Sequence, residues 1–251
     1  MGSVKEYYLQ RQQDEYFEMK VEWIREQLGD PEADENSEGW DDLSDEYDEW
    51  HSDEYDNQYE DDWSVEGKTR LEIFNENMSA VREISKSNLS QETTACLMVM
   101  LHAHIVSSME AYLSSTFIDT VLLSEQFIRK LIESDPEFSN RKFTLNEIFL
   151  KRESLEEDIK VYLKALIFHD LKKIKPMYKD VFDIDFGDIG WLFTAVNVRH
   201  HCVHRAGYDK EGKEVSISVF SIEDLLNKCE SLVKSIESGI KGLSIPELQF
   251  W

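Results

Sequence analysis

The chain lacks any run of 18 apolar residues, which excludes a membrane-spanning helix by length and composition and leaves no expected membrane partner. Its first twenty residues, Met1 to Lys20, mix charges with aromatic rings, so the apolar stretch of a secretory signal is missing. Cysteine is scarce: Cys96, Cys202 and Cys229 are widely spaced and odd in number, which excludes a disulfide framework and fits a reducing, cytoplasmic setting. There is no CxxC and no HExxH, and neither a metal nor a cofactor is expected. Sustained apolar–polar alternation and internal repeats are absent too. Basic residues are few, 27 against 52 acidic ones, and a net charge of −25 would ordinarily argue against a nucleic-acid partner.

That charge is unevenly spread. Between Asp30 and Asp62 stand 17 Asp or Glu and no Lys or Arg, which leaves −8 for everything else. From Arg141 to Lys179 there are 10 Lys or Arg against 6 Asp or Glu, so a polyanion could still find a surface. Lys172, Lys173 and Lys175 of that stretch are candidate substrate-binding residues; a solvated helix face is the plainer reading of such a run.

Three segments are expected. Residues 1–29 hold an amphipathic helix from about Val4 to Leu28, with Phe17, Val21, Ile24 and Leu28 on one face and Gly29-Asp30-Pro31 ending it. Residues 30–65 are acidic with almost no aliphatic side chains, and are expected to be disordered or loosely docked. Trp40, Tyr47, Trp50, Tyr55, Tyr59 and Trp63 punctuate the carboxylates, so the segment reads as a linker, a partner-binding arm or a mimic of nucleic acid. Residues 66–251 are expected to form a helical bundle.

Within that bundle, helical patterns run over 66–87 and 91–123, the second apolar nearly all round, as befits a central helix. Asp135-Pro136 breaks the pattern. A further helix is expected from Glu153 to Ile174, stopping at Pro176, and another from Ile189 to about Val203 with Asp188 as its cap. Val215 to Phe220 alternates like a short strand, and a last amphipathic helix carries Ile222, Leu225, Leu226, Cys229, Leu232, Val233, Ile236 and Ile240. The class is all-α.

The chemistry concentrates in Val196-Asn197-Val198-Arg199-His200-His201-Cys202-Val203-His204-Arg205-Ala206-Gly207, which holds three of the seven histidines. Imidazoles exchange protons near neutral pH, and a guanidinium clamps a phosphate in fixed geometry. Together they supply an acid/base and a stabiliser of developing negative charge, which phosphodiester cleavage needs. Arg199 and His204 stand five apart, about 140° round an ideal helix. They converge only if the helix frays near His204, if the arginine curls round, or if a second subunit closes the groove; Gly207 makes a helix end here plausible. Glu110, a carboxylate on an otherwise apolar helix, needs a partner, and Arg199 is the natural one.

The motif Arg199-x4-His204, with polar His200 after the arginine and the Val203-His204-Arg205-Ala206-Gly207 ending, resembles the Rx4–6H motif of HEPN domains. Ser107-Ser108-Met109-Glu110-Ala111-Tyr112-Leu113 is similar to the family's glutamate-bearing helix, and the resemblance spans roughly Gln91 to Lys241. It implies a dimeric, metal-independent endoribonuclease of a toxin or antiviral defence system. The site would lie at a two-fold interface and the substrate would be single-stranded RNA or tRNA, under a possible regulatory protein. The resemblance casts Arg199, His204, Glu110, His200 and Asn197 as catalytic and His201 and Arg205 as substrate-binding. One departure matters: a subgroup regulated by modification carries HxY, where this chain has Ala206, its nearest tyrosine being Tyr208.

Other readings of the same residues remain open at this level. The histidines could simply cap a helix end, or His200 and His204 could bind zinc. His102 and His104 read as core or interface histidines. The bundle could be a non-catalytic binding module, or a regulatory, antitoxin-like protein whose acidic segment recruits or inhibits a partner.

Overall fold

The computed structural model describes residues 68–139 and 145–243, and in the N-terminal region residues 17, 20–25, 27–35, 37, 39–41, 43, 44 and 47. The chain divides into two compact units, one of Met1–Asp62 with Glu157–Ala165, the other of Trp63–Glu156 with Leu166–Trp251. The described residues are helical and contain no strand; the one β feature among them is an isolated bridge between Tyr208 and Glu214.

The larger unit is built on a central helix. Helix α1 (Arg70–Ile84) opens with a capping box in which Thr69 and Glu72 satisfy each other's backbone N–H, and it buries Phe74, Met78 and Val81. Helix α2 (Gln91–Leu122) is capped by Ser90, and its buried side chains run from Met98 through Ile105, Met109, Tyr112 and Leu113 to Phe117 and Val121. Helix α3 (Glu125–Ser134) is capped by Ser124 and stops before Asp135, which Pro136 holds extended. Pro136 then opens a single helical turn, α4 (Pro136–Ser139). Helix α5 spans Leu145–Lys164, α6 Leu171–Phe182, α7 Gly190–His204 and α8 Val219–Lys241. Helices α1, α3, α7 and α8 all pack on α2, which explains why α2 is apolar on every side.

Helix α2 is also long and apolar enough to cross a membrane, unlike the expectation drawn from unbroken apolar runs. Half of its most apolar window is buried within the fold, as in the core helix of a bundle. Phe117 lies at the centre of an aromatic cluster, its ring centroid 5.1 Å from those of both Tyr178 and Phe182. The Tyr178 hydroxyl donates to the Leu113 carbonyl at 2.7 Å, so the cluster leaves its buried polar atom satisfied. Burying an aromatic ring of this kind contributes about 1.5–3 kcal/mol.

Two expectations about the elements are corrected. The helix read as running from Glu153 to Ile174 breaks over Ala165–Asp170, because the Asp170 carboxylate accepts from the Lys172 N–H and starts α6 afresh. Pro176 then lies inside α6 instead of ending the helix before it. The carbonyl it leaves without an N–H belongs to exposed Lys172, where water can reach it. Residues 215–218 form no strand, and Val219 and Phe220 already belong to α8, started by a capping box of Ser218 and Ser221.

In the smaller unit, helical residues reach Leu28 and stop at Gly29, whose φ of +65° suits a glycine. Ile24 is buried, whereas Phe17, expected on the same face, is exposed. The Arg25 guanidinium donates to the Ala33 carbonyl at 2.9 Å, fixing the reversal of the chain. Of the acidic segment, residues 40, 41, 43, 44 and 47 are helical, and buried Tyr47 lies 5.5 Å from Trp23, ring to ring. Residues 48–65, including Trp50, Tyr55, Tyr59 and Trp63, lie outside the described residues.

Candidate functional site

Helix α7 carries the Arg–His motif, and α2 fixes its position. Asp188 accepts from the Gly190 N–H at 3.0 Å, one position outside the cap expected of it. One turn further on, His102 of α2 donates through Nε2 to the Ala195 carbonyl at 3.0 Å. Burial holds the His102 imidazole below its ordinary pKa, which keeps it neutral for that bond. His104, two residues along, faces out. The two histidines of α2 thus serve as core and surface residues.

Four residues past Ala195, Arg199 faces Glu110. Its Nη2 lies 4.0 Å from Glu110 Oε2, with the two side chains only 15% and 17% exposed. The expected pairing is therefore present, though longer than a charge-assisted hydrogen bond. His169, which the sequence pattern did not single out, brings Nδ1 to 3.7 Å from the same Oε2. The other carboxylate oxygen, Oε1, is buried with no hydrogen-bond partner. Burial lowers the pKa of the Arg199 guanidinium from its usual value, since desolvation disfavours the cation.

The next residue belongs to a second group. The His200 and His204 rings lie one turn apart with centroids 4.7 Å apart and planes at 37°. His200 is buried, and burial pushes its pKa down to about 3, assisted by the charges of His204, Arg205, His201 and Arg199. Beside them, the Arg205 guanidinium donates from Nη1 to His201 Nδ1 at 3.3 Å. Asn197 is exposed, and its spacing of seven puts it on the same helical face as His204.

The helix does not fray before His204. It includes His204 and ends directly after it, where Ala206 and Gly207 turn to φ of +49° and +91°. The Gly207 N–H reaches back to the His201 carbonyl at 3.0 Å. A side chain at Gly207 would meet Val99 of α2, its Cβ only 2.9 Å from Val99 Cγ2, so this glycine is required twice over. The following turn is held by Asp209, which accepts from the Glu211 and Lys213 N–H groups, and by Val215 donating to the Gly207 carbonyl.

The structure thus brings Arg199, Glu110 and His169 together, and His200 with His204. Lys175 donates to the Gly187 carbonyl at 2.6 Å, and Lys172 is exposed. Among the described residues, no three of His, Cys, Asp and Glu are arranged to hold a metal ion. The helical pattern of the sequence runs straight through His169, and the Asp170 cap is the signal that the chain turns there.

Comparison with protein-family models finds no match, and none is found among curated protein sequences or solved structures.

Proposed function

We propose that the protein is a HEPN-type endoribonuclease that needs no metal. The observation that carries this reading is the ordered end of α7, where the His200–His204 pair follows directly on an arginine held against Glu110. In the reaction, the ribose 2′ oxygen would bond to phosphorus while the bond to the 5′ oxygen breaks. Products would be a 2′,3′-cyclic phosphate and a 5′-hydroxyl. One His204 would take the 2′ proton and a second, from a partner copy, would protonate the leaving oxygen. Arg199 would balance the charge that develops on the phosphoryl oxygens. His200, kept neutral by burial, leaves room for a proton on His204 without a second charge one turn away. Asn197 would orient the ribose, and His201 and Arg205 would border the path of the strand.

A homodimer supports the same chemistry, because Arg199 and His204 diverge by about 140° on one helix. Phe193 and Val203 on α7, and Phe220 at the start of α8, are exposed and apolar, the last by 83%. A second copy would cover such side chains. The wider role would be that of a cytoplasmic toxin or antiviral effector.

A second reading is favoured by the Arg199–Glu110 pair, which neutralises a half-buried arginine without any substrate. On that reading the bundle is a non-catalytic binding module. Incubating the purified protein with total RNA, with and without EDTA, separates the two. EDTA-insensitive cleavage supports the enzyme, and intact RNA supports the module.

A further inference from the structure

We propose that His169 is a positioning residue that takes over the Glu110 carboxylate when Arg199 turns to a substrate phosphate; the inference rests on the ribonuclease reading above. Glu110 Oε2 faces two nitrogen groups at once, Arg199 Nη2 at 4.0 Å and His169 Nδ1 at 3.7 Å. Both distances exceed the 2.7–2.9 Å or so of a closed charge-assisted bond, so the carboxylate is shared and committed to neither.

The sharing answers a specific difficulty. Glu110 is 83% covered by protein, and its Oε1 is buried with no hydrogen-bond partner. If Arg199 were its sole counter-charge, moving the guanidinium to a phosphate would strand a desolvated anion. That penalty would hold Arg199 in place and oppose catalysis. An imidazole on the same oxygen eases it, because a ring N–H can close a hydrogen bond to the carboxylate that the guanidinium leaves. His169 is delivered by a fixed turn: the Leu171 N–H bonds the His169 carbonyl at 2.8 Å, Asp170 caps α6, and Phe168 packs on Phe117 at 6.2 Å. The ring therefore stays with Glu110 while the longer, unbranched arginine moves.

The test compares wild type, His169→Gln, His169→Lys, Glu110→Gln and the double variant Glu110→Gln/His169→Gln. It measures kcat and KM on a single-stranded RNA and the affinity for inorganic phosphate by calorimetry. His169→Gln is expected to lower kcat and weaken phosphate binding by about tenfold, within the range for residues in direct contact. His169→Lys, with a permanent charge, is expected to restore most of both. In the Glu110→Gln background His169→Gln should change neither, since no anion is left to hold. His169→Asn serves the same comparison if His169→Gln melts early. A wild type that cleaves RNA, with His169→Gln matching it in kcat and phosphate affinity, overturns the inference and leaves the ribonuclease reading standing. Equal impairment in the Gln and Lys variants also overturns it, because the role would then be one of shape. A wild type that cleaves no RNA overturns the ribonuclease reading. Phosphate binding then decides the inference: weakening by His169→Gln only where Glu110 is present sustains it, and no binding or no change removes it.

Discussion

His200 and His204 stack one helical turn apart, 4.7 Å between ring centroids, with His200 buried and its pKa pushed down to about 3. The unfolded chain takes a proton at this position near pH 6.5, whereas the folded chain resists it. Below about 6.5 the unfolded state therefore binds more protons, and acid favours unfolding. The stability that the neutral imidazole confers is complete above about pH 6.5 and declines as the pH falls towards about 3. Urea midpoints measured from pH 7 to pH 4.5 should fall less steeply in His200→Gln than in wild type. Parallel curves would show that His200 is not held neutral by the fold.

Gly207 sits against Val99 with a φ of +91°, so Gly207→Ala meets both strain and a contact. The expected cost is about 1–3 kcal/mol in chemical denaturation. Val99→Ala should recover part of it by removing the contact, but not the part due to the positive φ. A Gly207→Ala protein as stable as wild type would mean that the end of α7 is not built as described.

Glu110→Ala leaves Arg199 half-buried without its carboxylate. The loss expected in denaturant unfolding is about 1–3 kcal/mol, the penalty typical of a buried polar group deprived of its partner. Glu110→Gln, which keeps an acceptor oxygen, should lose less. Equal stability in all three proteins would show that the 4.0 Å pair contributes nothing to the fold.

The proposed dimer makes its own prediction. Light scattering should give twice the 29.5 kDa chain mass, and charged substitutions at Val203 and Phe220 should halve it while the far-UV CD stays helical. Mixed dimers with one Arg199→Ala subunit should lose activity out of proportion to the subunit replaced. A fully active monomer would remove the shared cleft.

Much of the bundle is legible in the sequence because its signals are local. The seven buried residues of α8 recur at helical spacing. The pairing of Glu110 with Arg199 follows from a carboxylate set in the apolar middle of α2. What the pattern hides is non-local or competing. Pro176 reads as a stop, yet its helix starts only five residues earlier and the free carbonyl is exposed. The alternation at 215–220 reads as a strand, but no neighbouring strand exists among the described residues to pair with it. His169 reaches Glu110 only through a turn 59 residues further along the chain, a meeting that no periodicity announces. Tyr47 lies in an acidic run whose composition predicts disorder, and one ring contact with Trp23 accompanies its burial.

The central claim is that Arg199 and His204 cleave RNA together without a metal. Its most direct test is the rate of cleavage of a single-stranded RNA in EDTA by wild type, Arg199→Ala and His204→Ala, each verified as helical by far-UV CD. Removing a charge stabiliser or a general acid/base typically lowers the rate by about 10²- to 10⁴-fold, so both variants should fall close to background. Equal cleavage by all three proteins, or none by wild type, would contradict the account.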